Sequence, residues 1–129
     1  MVKKEFTYRG KTIEELKQLD IREFAKLIRS NNRRTVLRNF NEMEKFVNRS
    51  KVKMAKKKQI KTHDRYMVIV PGMIGMKIGI YDGQKFVFIE MVGEMLGHRL
   101  GEFAPTRTRT KHGKAGVGST KGTRSKAKK

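Results

Sequence analysis

The sequence predicts an α+β fold, and two observations support that prediction. Residues 12–58 contain apolar side chains spaced three and four residues apart, preceded by polar residues that favour helix starts. Residues 66–91 instead contain short apolar runs separated by Pro-Gly and Asp-Gly pairs, which are typical of strands and turns. Helices followed by strands, rather than alternating with them, indicate the α+β class. We therefore divide the chain into a basic helical N-terminal region at 1–61, a β-rich core at 62–105 and a basic tail at 106–129.

Length and charge limit what kind of protein this is. The chain has 129 residues, with 32 lysines and arginines against 12 aspartates and glutamates, so its formal net charge is +20. The length supports one domain, and self-repulsion at this charge costs stability unless a polyanion neutralises it. Residues 31–62 carry 11 basic and 2 acidic side chains, residues 106–129 carry 9 basic and none acidic, and residues 63–105 are net −1. A near-neutral block flanked by two cationic segments indicates an intracellular protein that binds nucleic acid.

Composition also argues against several other classes. The absence of cysteine removes disulfides and thiolate metal sites. No apolar run approaches the roughly 18 residues needed to span a membrane, and the first five residues lack the apolar stretch of a secretory signal. The three histidines, His63, His98 and His112, do not form a zinc-binding pattern. We therefore expect no membrane association, no metal and no cofactor.

Two helices are predicted in the first 30 residues. Thr12 and Glu15 have the spacing of a capping box, and Asp20 and Glu23 repeat it. In the second helix, an apolar face opposes a basic face: Ile21, Phe24, Ala25 and Ile28 against Arg22, Lys26 and Arg29. We expect the Ser-Asn-Asn sequence at 30–32 to end this helix.

A third helix is predicted to begin at Asn41, which has Glu44 three residues later. Its apolar face consists of Met43, Phe46 and Val47. A basic stripe runs along another side and continues past the helix: Lys45, Arg49, Lys53, Lys56, Lys57, Lys58 and Lys61. Such a stripe is commonly a solvated face, but the absence of acidic neighbours favours contact with phosphates.

The β-rich core is predicted from apolar runs and turn residues. Residues 66–70 have the length of a strand and are followed by Pro-Gly. Met76, Ile78 and Ile80 alternate with other residues in a second strand, and Asp82-Gly83 predicts a hairpin with a type I′ turn into residues 85–91. Residues 93–100 predict a short helix that buries Met95, Leu96 and Leu100, although three glycines weaken it.

Phe86 and Phe88 share one face of the predicted third strand. Two aromatic side chains at this spacing suit either a base-stacking platform or core packing, and we favour core packing.

The tail has one sizeable apolar residue, Val117, and cannot offset its chain entropy by burial, so we expect it to be disordered when alone. If residues 106–111 are extended, Arg107, Arg109 and Lys111 project to one side, as a strand along a phosphate backbone requires. Residues 113–120 nearly match the phosphate loop of nucleotide hydrolases but lack its lysine. We therefore predict no hydrolase activity.

Three other classes of protein also carry a large positive charge, but the sequence lacks the further features that each of them needs. A DNA-condensing architectural protein is the main alternative, but the sequence contains no dimerising helical seam and no apolar wedge. A basic nuclease would need clustered carboxylates for its metal, and the acids are scattered. A polybasic tail is attracted to anionic membranes, yet no insertion face or lipidation motif accompanies it. We expect a binding protein and not an enzyme.

Several motifs together are specific enough to indicate a family. Asp82-Gly83, Glu94-Met95 and the run G-H-R-L-G-E-F-A-P-T at 97–106 resemble the small-subunit ribosomal protein nineteen family. Residues 71–76 resemble the family's loop before its second strand. The long helical N-terminal region and the glycine spacing after His112 resemble the archaeal and eukaryotic branch. The sequence departs from the family at Phe88, where proline is usual.

The resemblance implies an α+β fold with a small three-stranded sheet, and a structural role in the head of the small ribosomal subunit, in the cytoplasm. It implies binding to small-subunit ribosomal RNA, proximity to small-subunit ribosomal protein thirteen, and a tail directed toward the decoding region and transfer RNA. The residues that match the family's motifs and are candidates for RNA contact are His98, Arg99, Arg107, His112 and Lys114. With the other basic residues, the predicted RNA contacts are Arg33, Arg34, Arg49, Lys53, Lys56, Lys57, Lys58, Arg65, His98, Arg99, Arg107, Arg109, Lys111, His112 and Lys114.

Overall fold

A computed structural model describes residues 5–109, 116 and 119–124. Within these residues the helices precede the main sheet, and the α+β prediction is confirmed. The α-helices are α1 (Ile13–Gln18), α2 (Ile21–Leu27), α3 (Ser30–Arg38) and α4 (Phe40–Ala55). The strands are β1 (Thr7–Tyr8), β2 (Lys11–Thr12), β3 (Ile60–Thr62), β4 (Lys77–Tyr81) and β5 (Phe86–Glu90). Short 3-10 helices cover Pro71–Met73, Gly93–Met95, Leu100–Phe103 and Lys121–Thr123.

Both predicted capping sites begin helices. The backbone N–H of Thr12 donates to Glu15 Oε2 at 3.0 Å, and the N–H of Glu15 donates to Thr12 Oγ1 at 3.4 Å. At the start of α2, the N–H of Asp20 donates to Glu23 Oε2 at 3.3 Å. These bonds satisfy donors that a helix start leaves unpaired.

Residues 30–32 begin α3, so the prediction that they end a helix was wrong. α2 already ends at Leu27, and the chain is extended at Ile28 before α3 starts at Ser30. Serine and asparagine hydrogen-bond to nearby backbone, and they therefore mark helix starts as readily as helix ends. Arg33 caps the C-terminal end of α2, because its Nε donates to the carbonyl of Ala25 at 3.0 Å.

α4 begins at Phe40 with Asn39 as its N-cap residue, so Asn41 does not cap it as predicted. Asn39 also ends α3, where its N–H donates to the carbonyl of Thr35 at 3.1 Å. One asparagine therefore serves both helices, and Asn41 falls within the first turn. The predicted apolar face of α4 is confirmed, since Met43, Phe46 and Val47 are buried.

The main sheet has the order β3-β4-β5, with β3 parallel and β5 antiparallel to β4. The three strands agree with the sheet that the family resemblance implies. Ile60, Ile78 and Ile89 form one cross-strand row on the inner face. β3 was not predicted, because three residues inside a lysine-rich stretch give no readable alternation.

The predicted strand at 66–70 does not join the sheet, and that prediction was wrong. Residues 67–70 are buried in the core. Val68 forms one isolated antiparallel bridge with Arg99, and the N–H of Ile69 donates to the carbonyl of His98 at 2.8 Å. The continuous apolar run therefore reflects burial on all sides rather than pairing in a sheet.

The β4–β5 hairpin is confirmed, but its turn is not type I′. Gly83 has a φ of 103°, while neither Asp82 nor Gln84 has a positive φ. Asp82 Oδ1 instead accepts the N–H groups of Gln84 and Lys85, each at 2.8 Å, so the side chain of Asp82 shapes the turn. These bonds, first from Lys85 and then from Gln84, hold the pKa of the Asp82 carboxyl below its usual range.

Residues 93–100 contain a 3-10 turn rather than the predicted helix, because Gly97 has a φ of 77°. The predicted burial is confirmed for Leu96 and Leu100, and Met95 is half-buried. A single hydrophobic core joins these residues to all four helices and to the inner face of the sheet. Within the described residues, no helix is both long and apolar enough to span a bilayer.

Candidate nucleic-acid interface

A cationic surface follows α4 and continues to β3. Between residues 45 and 61 the chain has eight basic residues and no acidic one, and all eight are exposed. We call this set the α4 basic surface: Lys45, Arg49, Lys51, Lys53, Lys56, Lys57, Lys58 and Lys61. The helix ends before Lys56, and Lys57 has a φ of 53° that turns the chain around the helix terminus. Cations beside a helix C-terminus are favoured by the helix dipole, so the lysines concentrate where the fold tolerates them.

No residue of the α4 basic surface forms a salt bridge to a described residue, although Glu42 and Asp64 line a pocket with Lys45 and Arg49. Among the described residues, the one close pair of a basic and an acidic side chain is His98 with Glu102, which is an ion pair only when the histidine is protonated. The internal hydrogen bond of Arg49 goes from its Nε to the carbonyl of Lys45, 3.3 Å away, which leaves its charge unpaired. An uncompensated surface of this kind favours a polyanionic ligand.

Arg65 is turned toward the protein rather than toward solvent. Its Nη1 donates to the carbonyl of Tyr81 at 2.6 Å, and its Nη2 donates to the carbonyls of Gly101 and Ala104 at 2.8 and 2.5 Å. Its guanidinium therefore joins the end of β4 to the 97–106 motif.

Arg99 has a similar internal role. Its Nε donates to Asn32 Oδ1 at 3.0 Å, and its Nη2 donates to Asn31 Oδ1 at 3.3 Å and Thr35 Oγ1 at 3.1 Å. Asn32 in turn donates from Nδ2 to the carbonyl of Gly97 at 2.7 Å. These bonds fix α3 against the motif.

The remaining predicted contacts divide into three groups. His98 is half-exposed, and its Nδ1 lies 2.7 Å from Glu102 Oε2. Arg34, Arg107 and Arg109 are exposed and lie away from the α4 basic surface in sequence. Lys111, His112 and Lys114 lie outside the described residues. The structure thus brings together Arg49, Lys53, Lys56, Lys57 and Lys58, while internal partners hold Arg33, Arg65 and Arg99.

The outer face of the sheet carries an aromatic cluster whose members lie in separate parts of the sequence. Ring centroids of His63 and Tyr81 lie 4.4 Å apart, and each lies 5.2 Å from that of Phe86. Lys61 Nζ lies 5.3 Å from the Phe86 centroid and 5.9 Å from that of Phe88, within reach of a cation–π interaction.

Phe86 and Phe88 share a face as predicted, but the prediction that they pack in the core was wrong. Val87 and Ile89 pack against the core instead, and Phe88 is exposed. The alternation in this strand showed which residues share a face, but not which face is inside, because both sets are apolar.

This chain was compared with known proteins. A family model described as ribosomal protein S19 matches residues 2–112. The chain is also similar to the small ribosomal subunit protein uS19 of the archaeon Methanococcoides burtonii, with 43% identity over 119 residues. That alignment covers 92% of this chain and 85% of the relative.

Proposed function

Because this chain belongs to the ribosomal protein S19 family, we propose that it is a structural constituent of the small ribosomal subunit that binds ribosomal RNA in the subunit head, near the decoding region. It acts as a scaffold and catalyses no reaction. The observation that supports RNA binding is the α4 basic surface, where eight exposed cations outnumber the nearby carboxylates and form no salt bridge to any described residue. Folded RNA supplies the missing counter-charge through its phosphates.

The fold presents this surface as a rigid unit. Met43, Phe46 and Val47 anchor α4 in the core, so the lysines and arginine on its other sides keep their relative positions. RNA duplexes are recognised mainly by shape and phosphate contact, which suits a fixed array of cations. In this proposal Arg33, Arg65 and Arg99 act indirectly, because they hold α2, α3 and the 97–106 motif in place.

The family resemblance supports the finer placement of the protein in the cytoplasmic ribosome. There it lies next to small-subunit ribosomal protein thirteen, and its tail extends toward transfer RNA. Arg107 and Arg109 are exposed, follow Ala104, which is the last buried residue among those that the structure describes, and begin that basic extension.

Sedimentation with small ribosomal subunits tests the proposal. We expect the protein to sediment with the subunits at low salt and to be released by a high-salt wash, because phosphate contacts weaken as salt rises. A variant with Lys53, Lys56, Lys57 and Lys58 changed to glutamine should be released at a lower salt concentration than the native chain. Equal sedimentation of this variant and the native chain would contradict the assignment to the α4 basic surface.

A competition experiment separates this proposal from a DNA-condensing role. We expect head-domain ribosomal RNA to displace a labelled RNA fragment at concentrations at which duplex DNA does not. If duplex DNA competes as well per phosphate, the architectural alternative is favoured and the ribosomal proposal fails.

A further inference from the structure

A cavity of about 370 Å³ opens between the C-terminal end of α4 and one end of the main sheet, where residues of all three strands line it. Its apolar lining consists of Met54, Ile60 and Phe88. Its basic lining consists of Lys57, Lys58 and Lys77. No carboxylate lines it in the described part of the chain; the nearest in register is Glu90, which lies across the strand from Lys77. The cavity therefore combines an apolar surface with net positive charge.

Two large apolar side chains are exposed at this cavity. Met54 and Phe88 are 53% and 37% exposed, although they lie among lysines. Exposed apolar surface in a cationic setting suits a ligand that is itself part apolar and part anionic.

Phe88 is held against the backbone of the central strand. Gly79 faces Phe88 across the β4–β5 pair, and a Cβ atom at Gly79 would lie 2.8 Å from Phe88 Cε1. The ring therefore occupies the space that a side chain at 79 would fill. Lys61 lies in the same cross-strand row on the other side of Gly79. A ring fixed in this way loses little freedom when a planar ligand stacks on it.

We propose that this cavity binds one unpaired nucleotide of RNA, whose base stacks on Phe88 while Lys57, Lys58 and Lys77 contact the flanking phosphates. Every nucleobase has a π-face that stacks on an aromatic side chain, and single-stranded sites combine such stacking with a basic groove. The inference rests on the proposed function and adds a site for unpaired RNA to a surface otherwise suited to phosphates.

The test uses the full chain and a short RNA oligonucleotide that cannot pair with itself and carries 2-aminopurine at its centre. Stacking on Phe88 should quench the 2-aminopurine fluorescence on binding. The F88L variant should bind about 5- to 100-fold more weakly, as expected for the loss of one base–aromatic stack, and should lose the quenching. The F88Y variant keeps an aromatic ring and should remain within about threefold of the native chain.

A matched control and a second oligonucleotide complete the experiment. L37A truncates another exposed apolar residue, which lies on α3 and does not line the cavity, and this variant should bind like the native chain. An abasic site at the central position should weaken binding to the native chain but not to F88L. Circular dichroism checks that each variant is folded.

The possible outcomes separate this inference from the proposed function. If F88L binds the oligonucleotide as tightly as the native chain, or the abasic site has no effect, the nucleotide site is rejected, and another occupant must explain the exposed ring. That result leaves RNA binding intact if the native chain still binds head-domain ribosomal RNA. If the native chain binds neither RNA, both the site and the proposed function fail.

Discussion

Arg65 Nη2 donates a 2.8 Å hydrogen bond to the carbonyl oxygen of Gly101, 36 residues further along the chain. Gly101 lies in the motif by which the sequence resembles its family, whereas Arg65 follows β3. A Cβ atom at Gly101 would lie 3.1 Å from both the Cβ and the carbonyl oxygen of Arg65. The close approach of the two backbones therefore explains why glycine suits this position.

We expect R65K to lower the free energy of unfolding by about 2–4 kcal/mol. Lysine cannot present the planar guanidinium group that donates to three carbonyls, and a hydrogen bond to a charged group is worth about 1.5–3 kcal/mol. Urea denaturation would measure the loss. R34K, at an exposed arginine on α3 without a hydrogen bond to any described residue, should stay within about 0.5 kcal/mol of the native chain. Equal stability of the two variants would show that the hydrogen bonds of the Arg65 guanidinium do not stabilise the fold.

Gly97 is constrained both by a positive φ and by close neighbouring atoms, whereas Gly75 is constrained by a positive φ alone. The φ of Gly97 is 77°, and a Cβ there would lie 2.7 Å from the Tyr8 hydroxyl and 3.2 Å from Ile28 Cγ2. Gly75 has a φ of 84° with no heavy atom within 4 Å of such a Cβ. We expect G75A to cost about 1–2 kcal/mol from backbone strain alone, and G97A to cost about 1–3 kcal/mol more from overpacking.

Urea denaturation of both glycine variants checks this difference. Adding Y8F removes the nearest atom and should recover part of the extra cost in G97A but none in G75A. If both glycine variants lose the same stability, the contact with Tyr8 is not limiting.

The parts of the fold that were predicted correctly are those stabilised by hydrogen bonds between residues close together in the sequence. Thr12 and Glu15 lie three residues apart and bond to each other, and Asp82-Gly83 forms its hairpin from residues within the turn. The segment at 66–70 was misassigned because its pattern shows burial but not pairing. Its backbone bonds lie about 30 residues away, at 97–100, a distance that no local pattern encodes.

The candidate site was predictable only as far as charge alone identifies it. The basic stripe at Lys45, Arg49 and Lys53 is exposed, and its contact with RNA stays a prediction. Arg33 was chosen for its charge and Arg99 because it matches the family motif, but their guanidinium groups bond to the end of α2 and to side chains of α3. The sequence does not distinguish an arginine that bonds to backbone carbonyls from one that bonds to phosphate, because the same guanidinium N–H groups donate in both cases. Their contact with RNA stays a prediction.

The pH dependence of Tyr66 provides a test of one surface contact. Its hydroxyl donates a 2.5 Å hydrogen bond to Glu42 Oε2, and this bond, with partial burial and the charge of Glu42, raises the pKa of Tyr66 to about 12. Because the pKa in the folded state lies above the unfolded value near 10, the stabilisation is fully present below pH 10 and is lost as pH rises toward 12.

Ultraviolet titration of the phenolate would follow this group among the three tyrosines. In the native chain one tyrosine should ionise near pH 12, and in E42Q it should ionise closer to 10, since a neutral amide no longer opposes the phenolate. E44Q changes the same charge on the same helix without this contact and should leave the titration unchanged. Identical curves for E42Q and the native chain would rule out the hydrogen bond in solution.

The salt dependence of RNA binding tests the α4 basic surface quantitatively. If roughly eight phosphates are neutralised, the logarithm of the association constant with head-domain ribosomal RNA should fall against the logarithm of salt concentration with a slope of about −6 to −7. Changing Lys53, Lys57 and Lys58 together to glutamine removes three of these contacts and should make the slope shallower by about 2–3. K85Q, in the hairpin turn of the near-neutral block, should leave it unchanged. Fluorescence anisotropy over a range of salt concentrations gives the slopes. A native slope near about −1 would mean that few phosphates are contacted, and the positive charge of this surface would then need another explanation.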